Sequence, residues 1–135
     1  MTSPSLELQG VIVSRLKADS AVRGLVADSV YDNVPKDAGY PRITLGATDE
    51  TSDDADCIEG LAISFQVDCW SQAVGFPQVR QMSDAVRRSL HDVDLTLTDN
   101  ALVSLTHRQT RVFRDPDGLT SHAAMTFDAF VEVAA

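Results

Sequence analysis

Leu61-Ala62-Ile63-Ser64-Phe65-Gln66-Val67-Asp68-Cys69 is the stretch that decides the fold. Leu61, Ile63, Phe65, Val67 and Cys69 alternate with Ala62, Ser64, Gln66 and Asp68. A β-strand sends successive side chains to opposite faces, so this alternation predicts a strand with one buried face. Downstream, Gly75-Phe76-Pro77 ends the strand, and Pro77 suits the first turn of a helix. Val79, Met82, Val86 and Leu90 follow at spacings of three and four, with Arg80, Arg87 and Arg88 on the other side. That spacing predicts an amphipathic helix lying on the sheet. Leu95 and Leu97 are expected to form a short strand before Asp99-Asn100.

The last third reads as a long hairpin. Ala123, Met125, Phe127, Ala129, Val131 and Val133 alternate with polar neighbours, and the partner strand runs from Leu102 to about Phe113. Between them lies Asp115-Pro116-Asp117-Gly118, which fits a three-residue loop with glycine in the left-handed position. Such a loop puts Val103 opposite Val131 and Leu105 opposite Ala129, both on the core. It puts His107, Gln109 and Arg111 opposite Phe127, Met125 and Ala123.

Upstream of the central strand, Leu8, Val11, Ile12 and Leu16 recur at helical spacing between Leu6 and Ala18, with Ser3 or Ser5 placed to cap the start. Gly10 weakens this helix by up to ~1 kcal/mol, so packing must hold it. Asp19 or Ser20 can cap a second short helical turn ending near Val26. Val30-Tyr31 leads into a turn-rich stretch, Arg42 to Leu45 reads as a short strand, and residues 46–59 read as an acidic loop. The whole chain, residues 1–135, therefore reads as one α+β domain: a mainly antiparallel sheet with two helices packed on one face and a long C-terminal β-hairpin.

Charge narrows the function. The net charge of −9 argues against sequence-specific nucleic-acid binding, which needs clustered Lys and Arg at the phosphates. Six of the carboxylates, Asp49, Glu50, Asp53, Asp54, Asp56 and Glu59, fall in an eleven-residue window without a base; without them the charge would be −3. No apolar run approaches the roughly 18–20 residues that span a bilayer, and no secretory signal is visible, so synthesis and folding are expected in the cytoplasm, with no membrane partner. Cys57 and Cys69 are expected to remain free thiols, because a strand between them would hold them too far apart for a disulfide.

No catalytic or metal-binding constellation is apparent, and no cofactor is expected. His91, His107 and His122 lack the helical i, i+4 pairing of a zinc hydrolase, and there is no Cys-x-x-Cys. No Gly-x-Ser-x-Gly turn and no Gly-x-Gly cluster occur. His107 and His122 are expected to be solvated or interfacial. The acidic window lacks the spacing and glycine of a calcium loop, and reads as a solvated loop. Arg108, Arg111 and Arg114 place three cations near the hairpin tip. An acidic and a basic segment on one chain suit a head-to-tail assembly, in which each copy offers two different surfaces. Trp70 and Phe76 flank the exit of the central strand and are expected to cover the end of the core. Aromatic residues are also enriched at interfaces, which makes Trp70 a candidate contact.

Five short runs carry a resemblance. Val30-Tyr31-Asp32-Asn33-Val34-Pro35 precedes Tyr40-Pro41-Arg42-Ile43-Thr44-Leu45-Gly46; next comes Phe65-Gln66-Val67-Asp68-Cys69-Trp70-Ser71; Arg114-Asp115-Pro116-Asp117-Gly118 leads into Ala123-Ala124-Met125-Thr126-Phe127. In this order they resemble the tail-completion, or tail-terminator, family of long-tailed bacteriophages and gene transfer agents. The resemblance implies a non-enzymatic structural role: a hexameric ring that caps the tail tube, stops its polymerisation and presents a joining surface to the head-tail connector. It implies a homo-oligomer with the tube protein and the connector (stopper or adaptor) as partners, and DNA passing through the lumen. If the acidic loop lined that lumen, its charge would repel passing DNA. The implied location is the bacterial cytoplasm during assembly, then the head-tail junction of the particle. The alternatives are a head-completion or adaptor protein of the same junction, or, from another class, a cytoplasmic binding module or small enzyme.

Overall fold

The structure is a computed structural model and describes residues 2–134. Three helices, α1 (Pro4–Ala18), α2 (Ser20–Val26) and α3 (Pro77–Leu90), accompany five strands: β1 (Val30–Tyr31), β2 (Arg42–Ser52), β3 (Gly60–Ser71), β4 (Ala101–Arg114) and β5 (Ser121–Glu132). The strands form one sheet in the order β1-β2-β3-β5-β4, antiparallel throughout except for the short parallel β1-β2 pair. This is the expected α+β class, with the short α2 as a third helix.

The central strand reads as its alternation predicts. Ile63, Phe65, Val67 and Cys69 are buried on one face of β3, and Ala123, Met125, Phe127, Ala129 and Val131 are buried beside them on β5. Phe65 and Phe127, paired in register, stack with ring centres 5.4 Å apart. The α3 helix closes this face with Val79, Met82, Val86 and Leu90, while Arg87 and Arg88 both bind Asp84 in solvent. Ser3 caps α1, its hydroxyl accepting the Leu6 N–H, and Leu8, Ile12 and Leu16 form one buried stripe. Each of those side chains contributes about 1.5–3 kcal/mol on burial, which outweighs the ~1 kcal/mol that Gly10 costs. Asp19 ends α1 and caps α2, its carboxylate accepting the N–H groups of Ala21 and Val22.

Four expectations need correction. First, β2 continues to Ser52, so Asp49 and Glu50 lie on a strand paired with Ser64 and Ile63, not in a loop. What remains, residues 53–59, is a closed turn: Ala55 and Ile58 bond each other's backbone at 3.0 Å, and the Asp54 carboxylate accepts the Gly60 N–H at 3.0 Å. Second, residues 95–97 form no strand; Leu97 is buried as part of an irregular connection.

Third, the β4–β5 loop is one residue longer than a three-residue loop. Asp115 N–H donates to the Thr120 carbonyl, Gly118 (φ 74°) closes the turn onto Asp115, and Arg114 pairs with Ser121. A bulge at Arg108 then restores the expected register, so His107 does face Phe127 and Leu105 does face Ala129. Gln109 and Arg111, on the near side of that bulge, face Thr126 and Ala124 instead. A second bulge at Val103 places Leu102 opposite Val131 and leaves Val103 61% exposed. Each bulge inserts one unpaired residue, which alternation in the sequence cannot locate. Fourth, His122 is not solvated. Its side chain is only 12% exposed, between Asp68 and Asp115.

Candidate interaction surfaces

Registers across the sheet place the charged residues at opposite ends of it. Gly60 pairs with Glu132, which pairs with Ala101, and this defines the acidic end; Ser71 pairs with Ser121, which pairs with Arg114, and this defines the other. The eleven β3 steps between them span on the order of 35 Å. Asp53, Asp54, Asp56 and Glu59 are exposed on the acidic turn, and Asp49 and Glu50 are exposed on β2 leading to it. All six are therefore gathered in one hairpin.

The three arginines differ from one another. Arg108, at the bulge, is held within the chain, its Nε 3.5 Å from Asp128 and its guanidinium donating to Ser64 Oγ at 3.1 Å. Arg111 is exposed with its guanidinium 5.5 Å from the Phe113 ring centre, and Arg114 lies 5.1 Å from that of Phe76. Arg111 and Arg114 thus sit at the hairpin-tip end, cation over ring, and none of the three arginines pairs with the six acidic residues among the described residues.

Trp70 belongs to the tip end too, but not to the core. Phe76 packs against the core, as expected, whereas Trp70 lies on the opposite, helix-free face. There it heads a row running across four strands: Arg42, Trp70, His122 and Phe113. The Trp70 ring stacks on His122 at 3.8 Å, Phe113 tilts against His122 at 4.7 Å, and the indole N–H donates to Thr44 Oγ1 at 2.9 Å. One row further in, Asp68 is 5% exposed and sits 2.6 Å from His122 Nε2, and it accepts a bond from Gln66 at 2.8 Å. Gly46 makes room for it: a Cβ there would meet Asp68 Oδ2 at 2.8 Å. The opposite His122 nitrogen is 3.6 Å from Asp115. Sequence reading missed this cluster, although Asp68 and Trp70 share the polar phase of the alternation and His122 shares that of β5.

Elsewhere the polar groups do structural work. The Glu7 carboxylate accepts the backbone N–H groups of Asp99 (2.8 Å) and Asn100 (3.0 Å) and the Asn100 side chain (3.1 Å). Partial desolvation works to raise its pKa, but these donors together hold it below the usual glutamate value. Thr120 and Leu119 do the same for Asp117 in the hairpin turn. Burial pushes the Cys69 thiol far up, while Cys57 is exposed; both are free. A partly enclosed recess of about 40 Å³, lined by Leu8, Ile12, Ile63 and Phe65 among others, has room for a few waters. Among the described residues no three of His, Cys, Asp and Glu are grouped to hold a metal ion, and no helix is long and apolar enough to cross a membrane.

Fold and surface together define an α+β domain with acidic residues gathered at one end of its sheet and arginines at the other. Residues 10–132 match the tail completion protein gp17 family. The chain belongs to that family and is a structural protein of phage-type tails. No curated protein matches the chain. Among solved structures, it is similar to a chain in the virion of a native gene transfer agent particle, with a TM-score of 0.91 and 26% identity over 98% of this chain and 99% of that one.

Proposed function

We propose that this protein is a tail terminator. Six copies form a ring on the last layer of the tail tube, stop its polymerisation and offer the surface that joins the tail to the head connector. The observation that carries the reading is the near full-length match in fold to a chain built into a gene transfer agent virion, together with membership of a tail completion family. The charge layout supports a head-to-tail ring. Acidic residues gather at one end of the sheet, Arg111 and Arg114 lie toward the other, and complementary ends set partner and register. The protein acts without bond-making, as one domain over residues 1–135. It assembles in the bacterial cytoplasm and stays at the head-tail junction, where DNA passes through its lumen.

Deleting the gene and imaging the products by electron microscopy tests this. Tubes of uncontrolled length without heads are expected. Tubes of normal length that fail to join heads would instead indicate an adaptor of the same junction. Reversing charge with Arg111→Glu and Arg114→Glu should weaken ring formation and steepen its loss with salt; assembly indifferent to both would remove the electrostatic part.

A further inference from the structure

The ring reading leaves open how one copy grips the next, and the backbone of the two outer strands answers it. β2 has no strand partner on its outer side beyond the two residues that β1 covers, Ile43 and Thr44, and β4 has none along its length, among the described residues. The direction of the open groups follows from a few bonds. Ile43 N–H donates outward to the Ser29 carbonyl at 2.9 Å, whereas Asp53 N–H donates inward to Gly60 at 2.9 Å. Successive residues alternate in direction, with the β2 bulge at Gly46 and Ala47 shifting the phase. Thr48, Glu50 and Ser52 therefore turn their N–H and C=O groups to the free side.

On β4, Asp115 N–H donates inward to Thr120, so Arg114, Val112 and Thr110 face outward. Beyond the Arg108 bulge, Leu105 and His107 face outward as well, but they are capped. Leu105 C=O accepts the Asp92 N–H at 2.8 Å, and His107 N–H donates to His91 Nδ1 at 2.9 Å. Each edge thus has one stopped stretch and one open stretch of three outward residues. A long open edge is a template for another strand.

We propose that β4 residues Thr110–Arg114 of one copy pair, antiparallel, with β2 residues Thr48–Ser52 of the next copy, so that the sheet runs unbroken from subunit to subunit. The proposal rests on the ring reading and specifies its contact. Direction fits: β2 and β4 run oppositely within the sheet, so a neighbour oriented the same way presents β2 antiparallel to β4. Setting Val112 against Glu50 leaves all three open positions of each strand matched and puts Arg111 diagonal to Asp49 and Arg114 diagonal to Glu50, within reach of long side chains. Two β2 edges would oppose carboxylates, and two β4 edges would oppose arginines. Charge therefore disfavours the two-fold pairings and leaves the head-to-tail one.

The stagger also fits closure. Val112 lies in the row of Cys69 and Glu50 in the row of Ile63, six residues apart on β3. That offset is about 20 Å along the strands against a four-strand width of about 19 Å, a tilt of about 45°, at the upper end of the 35–45° at which closed barrels settle.

A cysteine pair reads the contact directly. Arg111 and Thr51 fall directly opposite each other at a non-hydrogen-bonded site, where Cα atoms lie about 4.5 Å apart and a disulfide closes. In a Cys57→Ser background, Arg111→Cys with Thr51→Cys should give, after mild oxidation of assembled particles, a ladder of covalent multimers ending at the hexamer. Each single variant should stay monomeric. Rings of normal mass whose chains run as monomers would overturn the edge pairing and leave the ring intact; absence of any oligomer in particles of the unsubstituted protein would overturn both. Glu50→Pro gives a second readout, since the lost N–H faces outward and β3 loses no bond. The expected result is an unchanged circular dichroism spectrum with ring formation abolished, and normal rings from this variant would overturn the proposal.

Discussion

The two faces of the sheet bury side chains by different means. On the helix-covered face, Ile63, Val67, Met125 and Phe127 are sealed by apolar side chains from α1 and α3, and the stabilisation scales with area. No helix covers the other face, yet Thr44 is 8% exposed and Asp68 5%. There the seal comes from the sheet's own large rings, Trp70, His122 and Phe113, lying along one row. Buried polar groups without partners are costly, and the two most buried here have them: the Trp70 indole for Thr44, His122 and Gln66 for Asp68. The comparison teaches that one face depends on volume and the other on bonded geometry. Truncation should therefore hurt them in a definite order.

Phe127→Ala, at a site with no exposure and a stacked Phe65, should cost the most, about 3–5 kcal/mol of unfolding free energy by urea denaturation. Asp68→Ala should cost less, about 1–3 kcal/mol, because it strands the donors of His122 and Gln66. A larger loss at Asp68 than at Phe127 would mean that the polar face, not the apolar one, dominates stability, and would break the comparison.

Legibility in the sequence follows the same division. The apolar face was readable because alternation in 61–69 and 123–133 and the three-and-four spacing of α3 are direct images of burial. The outer half of β2 was not, because Thr48 to Ser52 carries no apolar residue; it is a strand only because β3 is there to bond it. The bulges at Arg108 and Val103 shift register by one residue each without changing the pattern of types. Leu97 is buried and still forms no strand, since burial alone does not supply a bonding neighbour. Of the candidate surface, the charges themselves were plain. That Arg108 is bound to Asp128, that Trp70 faces away from the core, and that His122 completes its row all depend on register, which only the paired strands define.

Acid separates the turns from both faces. Glu7 and Asp117 accept backbone N–H groups and titrate below their ordinary values of 4.5 and 3.8. A carboxylate depressed in the folded state contributes stability above its unfolded value and loses it as pH falls through the folded one. The melting temperature should therefore decline as pH drops below about 4.5, and Glu7→Gln with Asp117→Asn should flatten that decline. An undiminished slope in the double variant would place the acid sensitivity elsewhere in the chain.

The smallest effect is expected on the solvent side of α3. Asp84 binds Arg87 and Arg88 at 2.9 Å each, but all three side chains are 41–74% exposed. Water screens such pairs and side-chain ordering offsets much of the attraction, so Asp84→Asn should cost no more than about 0.5 kcal/mol in the same urea titration. The helix is held by Val79, Met82, Val86 and Leu90 on its other side, which the substitution leaves untouched. A loss above about 1 kcal/mol would exceed what exposed pairs contribute. It would show that the charged side of α3 helps to hold the helix on the apolar face, so that this face too depends in part on bonded geometry.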